Sequence, residues 1–305
     1  MVKKSLLFAF VILITNVLLN FPVKGQERLL TDEVGRKVRI PHAPKRIVSL
    51  APNITETLFA LGLNEEIVGV TGFCDYPEAA LKKPRIGGFV NPDIEKIVSL
   101  KPDLIIGTRD GNRAEAIQSL NELGFSVYLV DPKGFDGVVS TIRNIGEIAG
   151  RRDRSKEIAK NMIKKKEDAA RLTRSLSHPR VFFQVGNAPI ITVGKGTLAD
   201  DLIRLAGGRS ISENESASYP LYSVETIIAK APEIIIMTSM EGERGYANLV
   251  KKWQRWKSIP AVRRGAIHVL DSNLVDRPSP RIVDGLETLL RIIHPEVMKK
   301  LKTTS

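Results

Sequence analysis

The sequence predicts an α/β fold: two Rossmann-like lobes, each with a central and mostly parallel sheet, joined by one long α-helix. Three observations predict it. Short apolar runs alternate with helix-periodic stretches between residues 45 and 131, and the alternation resumes after residue 179. Between those regions, Asp153–Leu176 contains neither glycine nor proline. Finally, Glu95–Ile106 aligns without gaps on Glu225–Ile236, a helix-Pro-acid-strand unit present once in each region. Strands alternating with helices imply parallel pairing through right-handed crossovers, and the repeat favours duplication of one lobe.

Residues 1–25 read as a secretory signal peptide. Lys3-Lys4 precedes an apolar run from Leu6 to Leu19, and Val23-Lys24-Gly25 offers small residues before a cut expected at Gln26. The run is short for a membrane span. With no cysteine near the cut, a lipid anchor is not expected, and the mature chain is expected in the periplasm. Net charge is +12, or +9 without Lys3, Lys4 and Lys24. The charge is scattered in pairs such as Arg151-Arg152 and Arg263-Arg264 without interleaved aromatics, the pattern of solvated faces, so no nucleic-acid partner is expected.

The first lobe is expected over residues 26–150. Arg46–Leu50, Ile67–Val70, Leu104–Ile106 and Val127–Val130 read as strands; Asn53–Leu61, Ile94–Leu100 and Arg113–Leu123 read as helices, with one more from Asp136 to near Gly150. The backbone helix is expected over 151–178. Ile158, Met162, Ala169, Leu172 and Leu176 draw a narrow apolar stripe, with Lys165 in the one missing place. Asp153 is placed to cap it and Ser177-His178-Pro179 to stop it, giving a strut of about 35 Å. The second lobe is expected over 179–305. It holds strands Val181–Gln184, Ile190–Val193, Ile234–Met237 and Ile267–Leu270, and helices Leu198–Ala206, Val224–Ala229, Tyr246–Trp253 and Arg281–Ile293.

Two lobes on one strut leave a single cleft between them. In open α/β sheets, ligands bind at the loops following the carboxyl ends of strands. Here those loops carry Pro52-Asn53, Phe73-Cys74-Asp75-Tyr76, Phe89, Arg109–Asn112, Tyr219–Tyr222 and Asn273–Arg277. Aromatics with a few polar hooks suit a large, flat, partly apolar ligand. Little supports catalysis or a resident cofactor. His42, His178, His268 and His294 have no ligand spacing, Gly194-Lys195-Gly196-Thr197 only superficially resembles a phosphate loop, and no nucleophile elbow is present. Cys74 is the single cysteine, expected as a tolerated, half-buried thiol rather than a metal ligand.

The order of Arg46–Glu56, Asp75-Tyr76-Pro77, Ile94–Ile97 with Lys101-Pro102-Asp103, Gly111-Asn112 and Arg277–Ile282 resembles the substrate-binding proteins of cobalamin ABC importers. These belong to the wider class of receptors for iron-siderophores, haem and cobalamin, whose lobes share one backbone helix. The resemblance covers nearly all of the mature chain. It implies that Phe73 and Phe89 pack on the corrin, that Tyr219 faces them from the opposite lobe, and that Asn273-Leu274-Val275-Asp276-Arg277 embraces the ligand. It further implies that Glu95 and Glu225 pair with arginines on the two permease subunits. Where family members carry tryptophan this chain has Phe89, Thr108 and Tyr219, and Leu274-Val275 replaces an aromatic pair, so a less tightly stacked pocket is expected. The expected protein is a monomeric, non-enzymatic corrinoid receptor with no cofactor beyond the cobalamin it transports. A ferric-siderophore or haem receptor is the alternative, and an exported enzyme acting in the cleft a remote one. A siderophore would want more convergent cations than Arg109 and Arg277; Tyr76 and Tyr219 keep haem open.

Overall fold

The computed structural model describes residues 27–239 and 243–297. The expected signal peptide and its cut lie outside the described residues. The described chain opens with an antiparallel hairpin, β1 (Glu27–Thr31) and β2 (Lys37–Pro41). Asp32 closes its turn by accepting from the backbone N–H of Val34 and Arg36, and Gly35 takes the positive φ the turn requires. The sequence reading passes over this hairpin. Its two-residue period, charged Lys37 and Arg39 outside and Val38 and Ile40 inside, is too short to stand out.

Strands β3 (Ile47–Ser49), β4 (Ile67–Val70), β5 (Leu104–Thr108) and β6 (Val127–Val130) form a parallel sheet in the order β4-β3-β5-β6. Helices α1 (Pro52–Ala60), α2 (Ile94–Ser99) and α3 (Ala114–Glu122) connect them, and α4 (Gly134–Ile148) follows β6. The strands are apolar on both sides because both sides are covered. Ile47, Leu104 and Ile106 pack with Ile54 and Leu58 of α1 and Ile145 of α4. Val48, Ile105 and Val127 pack with Ile97 of α2 and with Ile117 and Leu120 of α3.

The long helix α5 spans Arg152–Thr173. It folds back on α4, and a β-carbon on Gly146 would collide with Ser155 at their crossing. Its buried positions, Ser155, Ala159, Met162, Ala169 and Thr173, follow a four-three-seven-four spacing. The structure differs from the sequence reading at both ends. Arg151, not Asp153, holds the N-cap position, and Asp153 lies in the first turn. The helix stops at Thr173, whose hydroxyl bonds back to Ala169 O, and Leu176 falls in the turn beyond. Thr173, Ser175 and Ser177 compete for backbone hydrogen bonds and weaken the last turn.

Strands β7 (Arg180–Asn187), β8 (Ile190–Thr192), β9 (Arg209–Ser210), β10 (Ile234–Ser239) and β11 (Ile267–Asp271) build the second sheet, in the order β11-β10-β7-β8 with β9 also on β7. All pairs are parallel except the β7–β8 hairpin. Around it lie α6 (Leu198–Leu205), α7 (Val224–Lys230), α8 (Glu243–Gln254), α9 (Pro260–Arg263), α10 (Ser272–Val275) and α11 (Ile282–Ile293). Helix α4 reaches into both halves. Phe135, Val138, Val139 and Ile142 pack with Val181, Phe183 and Leu202, while Ile145 and Ile148 pack with the first sheet.

The repeated units share their backbone devices. Asp93 caps α2 through Lys96 N–H, and Ser223 caps α7 through Thr226 N–H. Each joint then passes through a left-handed residue, Lys101 and Ala231, both with φ of 47°. Arg46 Nε donates to Lys101 O, and Arg180 Nε donates to Ala231 O. Asp103 and Glu233 in turn accept from the backbone N–H groups of Arg46 and Arg180.

Candidate functional site

Loops at the carboxyl ends of both sheets meet across a cleft of about 970 Å3. From the first half come Asn53, Phe73, Phe89, Thr108, Asp110 and Lys133; from the second come Asn187, Tyr219, Thr238, Lys252, Asn273, Asp276 and Arg277. Phe73 is 62% exposed. Its loop is anchored from beneath by Arg85, which donates to Thr71 O and Cys74 O. Cys74 is fully buried rather than half-buried, with its Sγ 3.1 Å from both Thr55 and Thr71 hydroxyls. Its thiol is part of the loop's foundation.

Phe89 lies against the backbone of Gly111, where any β-carbon would collide with the ring. Buried Asn112 fixes this loop: its Nδ2 donates to Leu50 O and Phe89 O, and its Oδ1 accepts from Thr108 N–H. Gly111-Asn112 therefore shapes the site without facing it. Tyr219 is 60% exposed and stands on the opposite wall. Its loop runs along the β7–β8 hairpin through Thr192 N–H to Pro220 O and Gly194 N–H to Ser218 O. Gly194, part of the apparent phosphate loop, lies so close to Ala217 O that a side chain has no room. Crowding by the cleft walls raises the Tyr219 phenol above its ordinary pKa, and the carboxylates of Asp276 and Asp110 add to this.

The segment 273–277 does not act as one surface. Residues 272–275 form a helical turn capped by Asp271, which accepts from Asn273 N–H. A helical turn places Asn273, Asp276 and Arg277 on one side. Those three line the cleft. Val275 is fully buried in the second core, and Leu274 packs against that core with its carbonyl close over Gly285. Neither Leu274 nor Val275 lines the cleft; an extended loop would have presented both.

Arg277 joins the halves. Its Nη1 lies 2.6 Å from Asp75 Oδ1 and 3.1 Å from Glu56 Oε1. Glu56, on α1, also accepts from Ser279 Oγ at 2.5 Å and from Arg281 Nη1 at 3.3 Å. The Arg281 guanidinium sits 3.9 Å above the Tyr76 ring. Burial works to raise the Asp75 carboxyl, but the hydrogen bond and charge of Arg277 hold it below the usual carboxylate range. Sequence reasoning missed Glu56, Ser279 and Arg281. The available signal was an acid among the apolar residues of α1, where a buried carboxylate requires partners.

Among the described residues, formal charge balances across the cleft lining: Asp110, Asp131 and Asp276 stand against Lys133, Lys252 and Arg277. Lys133 is held by Asp110 at 2.9 Å and Asp131 at 2.8 Å. No histidine lines the cleft, and among the described residues no group of acids, His and Cys is arranged to hold a metal ion. A smaller concavity of about 500 Å3 between α5 and α11 is lined by Leu172, Leu286 and Leu290, with the Lys165–Glu287 ion pair beside them. Glu95 and Glu225 are exposed at the second positions of α2 and α7. The Glu225 carboxyl is lowered by its own backbone N–H and by the Ser223 hydroxyl.

The family of periplasmic binding proteins matches residues 47–274. The chain belongs to it. Among relatives of this periplasmic binding protein, a vitamin B12-binding protein of Vibrio cholerae is 30% identical over 260 residues, covering 84% of this chain and 92% of the relative. A substrate-binding lipoprotein of an ABC transporter from Bacillus subtilis is 31% identical over 278 residues, covering 89% and 87%. The crystal structure of the periplasmic vitamin B12-binding protein of Vibrio cholerae superposes with a TM-score of 0.74 at 30% identity, covering 85% of this chain and all of that one. A periplasmic haem-binding protein from Pseudomonas aeruginosa superposes equally well, with a TM-score of 0.74 at 27% identity, covering 83% and 93%. The shared fold therefore leaves the choice of ligand to the cleft.

Proposed function

We propose that this chain is an extracytoplasmic substrate-binding protein that captures a cobalamin-type corrinoid in the inter-lobe cleft and delivers it to an ABC importer. The observation that carries this reading is a cleft walled by aromatic rings whose formal charges balance among the described residues, within a chain of net charge +12. A corrin is a broad, nearly planar macrocycle with apolar faces and a rim of uncharged amides. Phe73 and Phe89 offer surfaces to one face and Tyr219 to the other, while Asn273 can both donate to and accept from rim amides. Arg277, engaged by Glu56 and Asp75, holds the loop and gives the cleft no free charge. The 30% identity to a vitamin B12-binding protein supports the same ligand.

Haem has one feature in its favour, the open phenol of Tyr219. The carboxylates of Asp276 and Asp110 stand close enough to oppose ionisation of that phenol. Tyr76 lies outside the cleft lining, with Arg281 over one face of its ring. An anionic siderophore finds its cations already paired, Lys252 excepted. Parallel titrations of the purified protein with cyanocobalamin and with haemin, followed by calorimetry and visible absorption, test the choice. Tight cobalamin binding is expected; haem binding without cobalamin binding would overturn the reading.

Delivery needs a docking face. Glu95 and Glu225 are assigned to it as exposed carboxylates at equivalent places of the repeat, suited to directional pairing with arginines on two permease subunits. Glu95→Ala with Glu225→Ala should leave cobalamin affinity unchanged and depress uptake below either single variant. Normal uptake by the double variant would return both to the role of helix ends. N-terminal sequencing of the exported protein should begin at Gln26.

A further inference from the structure

Among the described residues three acids line the cleft, and they are not in the same state. Asp110 and Asp131 are both bound by Lys133, and Asp131 also by Arg109. Among the described residues Asp276 has no ion pair; its hydrogen-bonding neighbour is the Thr238 hydroxyl at the end of β10. One hydroxyl satisfies one of about four acceptor positions on a carboxylate. The side chain remains open to the cleft. Once a ligand fills the cleft, water leaves those positions and the ligand must replace it, because an unsatisfied buried carboxylate is strongly unfavourable.

We infer that Asp276 is a specificity-determining residue: its carboxylate accepts hydrogen bonds from an amide N–H on the ligand rim and rejects a ligand that carries a carboxylate in that place. The inference rests on the corrinoid reading and narrows it to the fully amidated compound. Asn273, on the same side of the turn, offers both a donor and an acceptor and cannot make this distinction. A site built around an acceptor discriminates strongly against an analogue that brings no donor.

The inference fixes the sign of a pH effect. Crowding raises the Asp276 carboxyl to about 6; the Thr238 hydrogen bond opposes this and the charge of Asp271 assists it. Among the described residues, the other charged or titratable groups in the cleft lining are Lys252 on α8, Tyr219, Arg277 in its bridge to Asp75 and Glu56, and Lys133 with its two aspartates. Amide donors stabilise the ionised carboxylate, so the pKa falls on binding and a proton is released. Affinity is then weaker below pH 6 and rises to a plateau above it. An apolar group covering Asp276 would give the opposite slope and proton uptake.

The test uses the mature protein, cyanocobalamin and its separated monocarboxylate isomers, with calorimetry in buffers of different ionisation enthalpy. From pH 5 to pH 7.5 the wild-type affinity for cyanocobalamin should rise roughly tenfold with proton release. In Asp276→Asn the slope should flatten, with an unchanged melting temperature as the folding control. At least one isomer should bind wild type more than about tenfold more weakly than cyanocobalamin and recover in Asp276→Asn, whose amide can donate to it. Cobalamin binding with a flat or falling pH profile, or equal binding of every isomer, would overturn this inference and leave the corrinoid reading standing. No cobalamin binding at any pH would overturn both.

Discussion

The two halves of the molecule are alike where they are structural and unlike where they face the cleft. In each, an arginine at the start of a strand holds the end of a helix, an acid beyond the helix holds that arginine's backbone, and a left-handed residue turns the chain between them. The cleft loops share none of this. The first half presents two phenyl rings, one steadied by Arg85 beneath its loop and the other by Asn112 and Gly111. The second presents a phenol, an acid with no ion pair among the described residues, and an arginine that reaches back across. The comparison teaches that the repeated frame is held by joints that are local. The cleft is lined by the loops, where nothing requires the halves to match.

The largest expected effect comes from cutting the bond between the halves. Glu56→Ala leaves Arg277, Arg281 and Ser279 without their shared acceptor and should lower unfolding free energy by about 3 kcal/mol in chemical denaturation. A loss under 1 kcal/mol would mean that the Arg277–Asp75 pair with α4 and α5 holds the halves without it. Next in size are the cleft rings. Phe73→Ala and Phe89→Ala should each weaken cobalamin binding by about 2 kcal/mol, roughly thirtyfold in Kd, with little change in stability for the exposed Phe73. An unchanged Kd for both variants would remove the first half from the site.

Smaller changes compare the frame with itself. Lys101→Gly and Ala231→Gly each relieve a left-handed non-glycine residue and should raise stability by about 0.5 kcal/mol, by the same amount in both halves. Unequal effects would show that the joints differ despite equal geometry. The smallest effect is on acid stability. The Asp75 carboxyl titrates lower in the folded chain than its ordinary value of 3.8. Its contribution is therefore present at neutral pH and lost as pH falls below that value through the folded one. Asp75→Asn should flatten the acid limb of the stability curve slightly, as followed by circular dichroism between pH 5 and pH 2.

The sequence by itself determined the α/β alternation, the repeat and the long helix, because each is a periodicity or a capping pattern written within a dozen or two consecutive residues. It also placed aromatic residues in the loops after strands, and the resemblance singled out Phe73, Phe89 and Tyr219 among them. Only the tertiary structure decided which of residues 273–277 reach the cleft: a single helical turn sends Leu274 and Val275 to the core and Asp276 to the ligand side. Tertiary structure likewise decided that Arg277 is engaged, by a carboxylate 221 positions away. Periodicity reports which face of an element is apolar. Which distant charge that face meets depends on how the two sheets are set against each other.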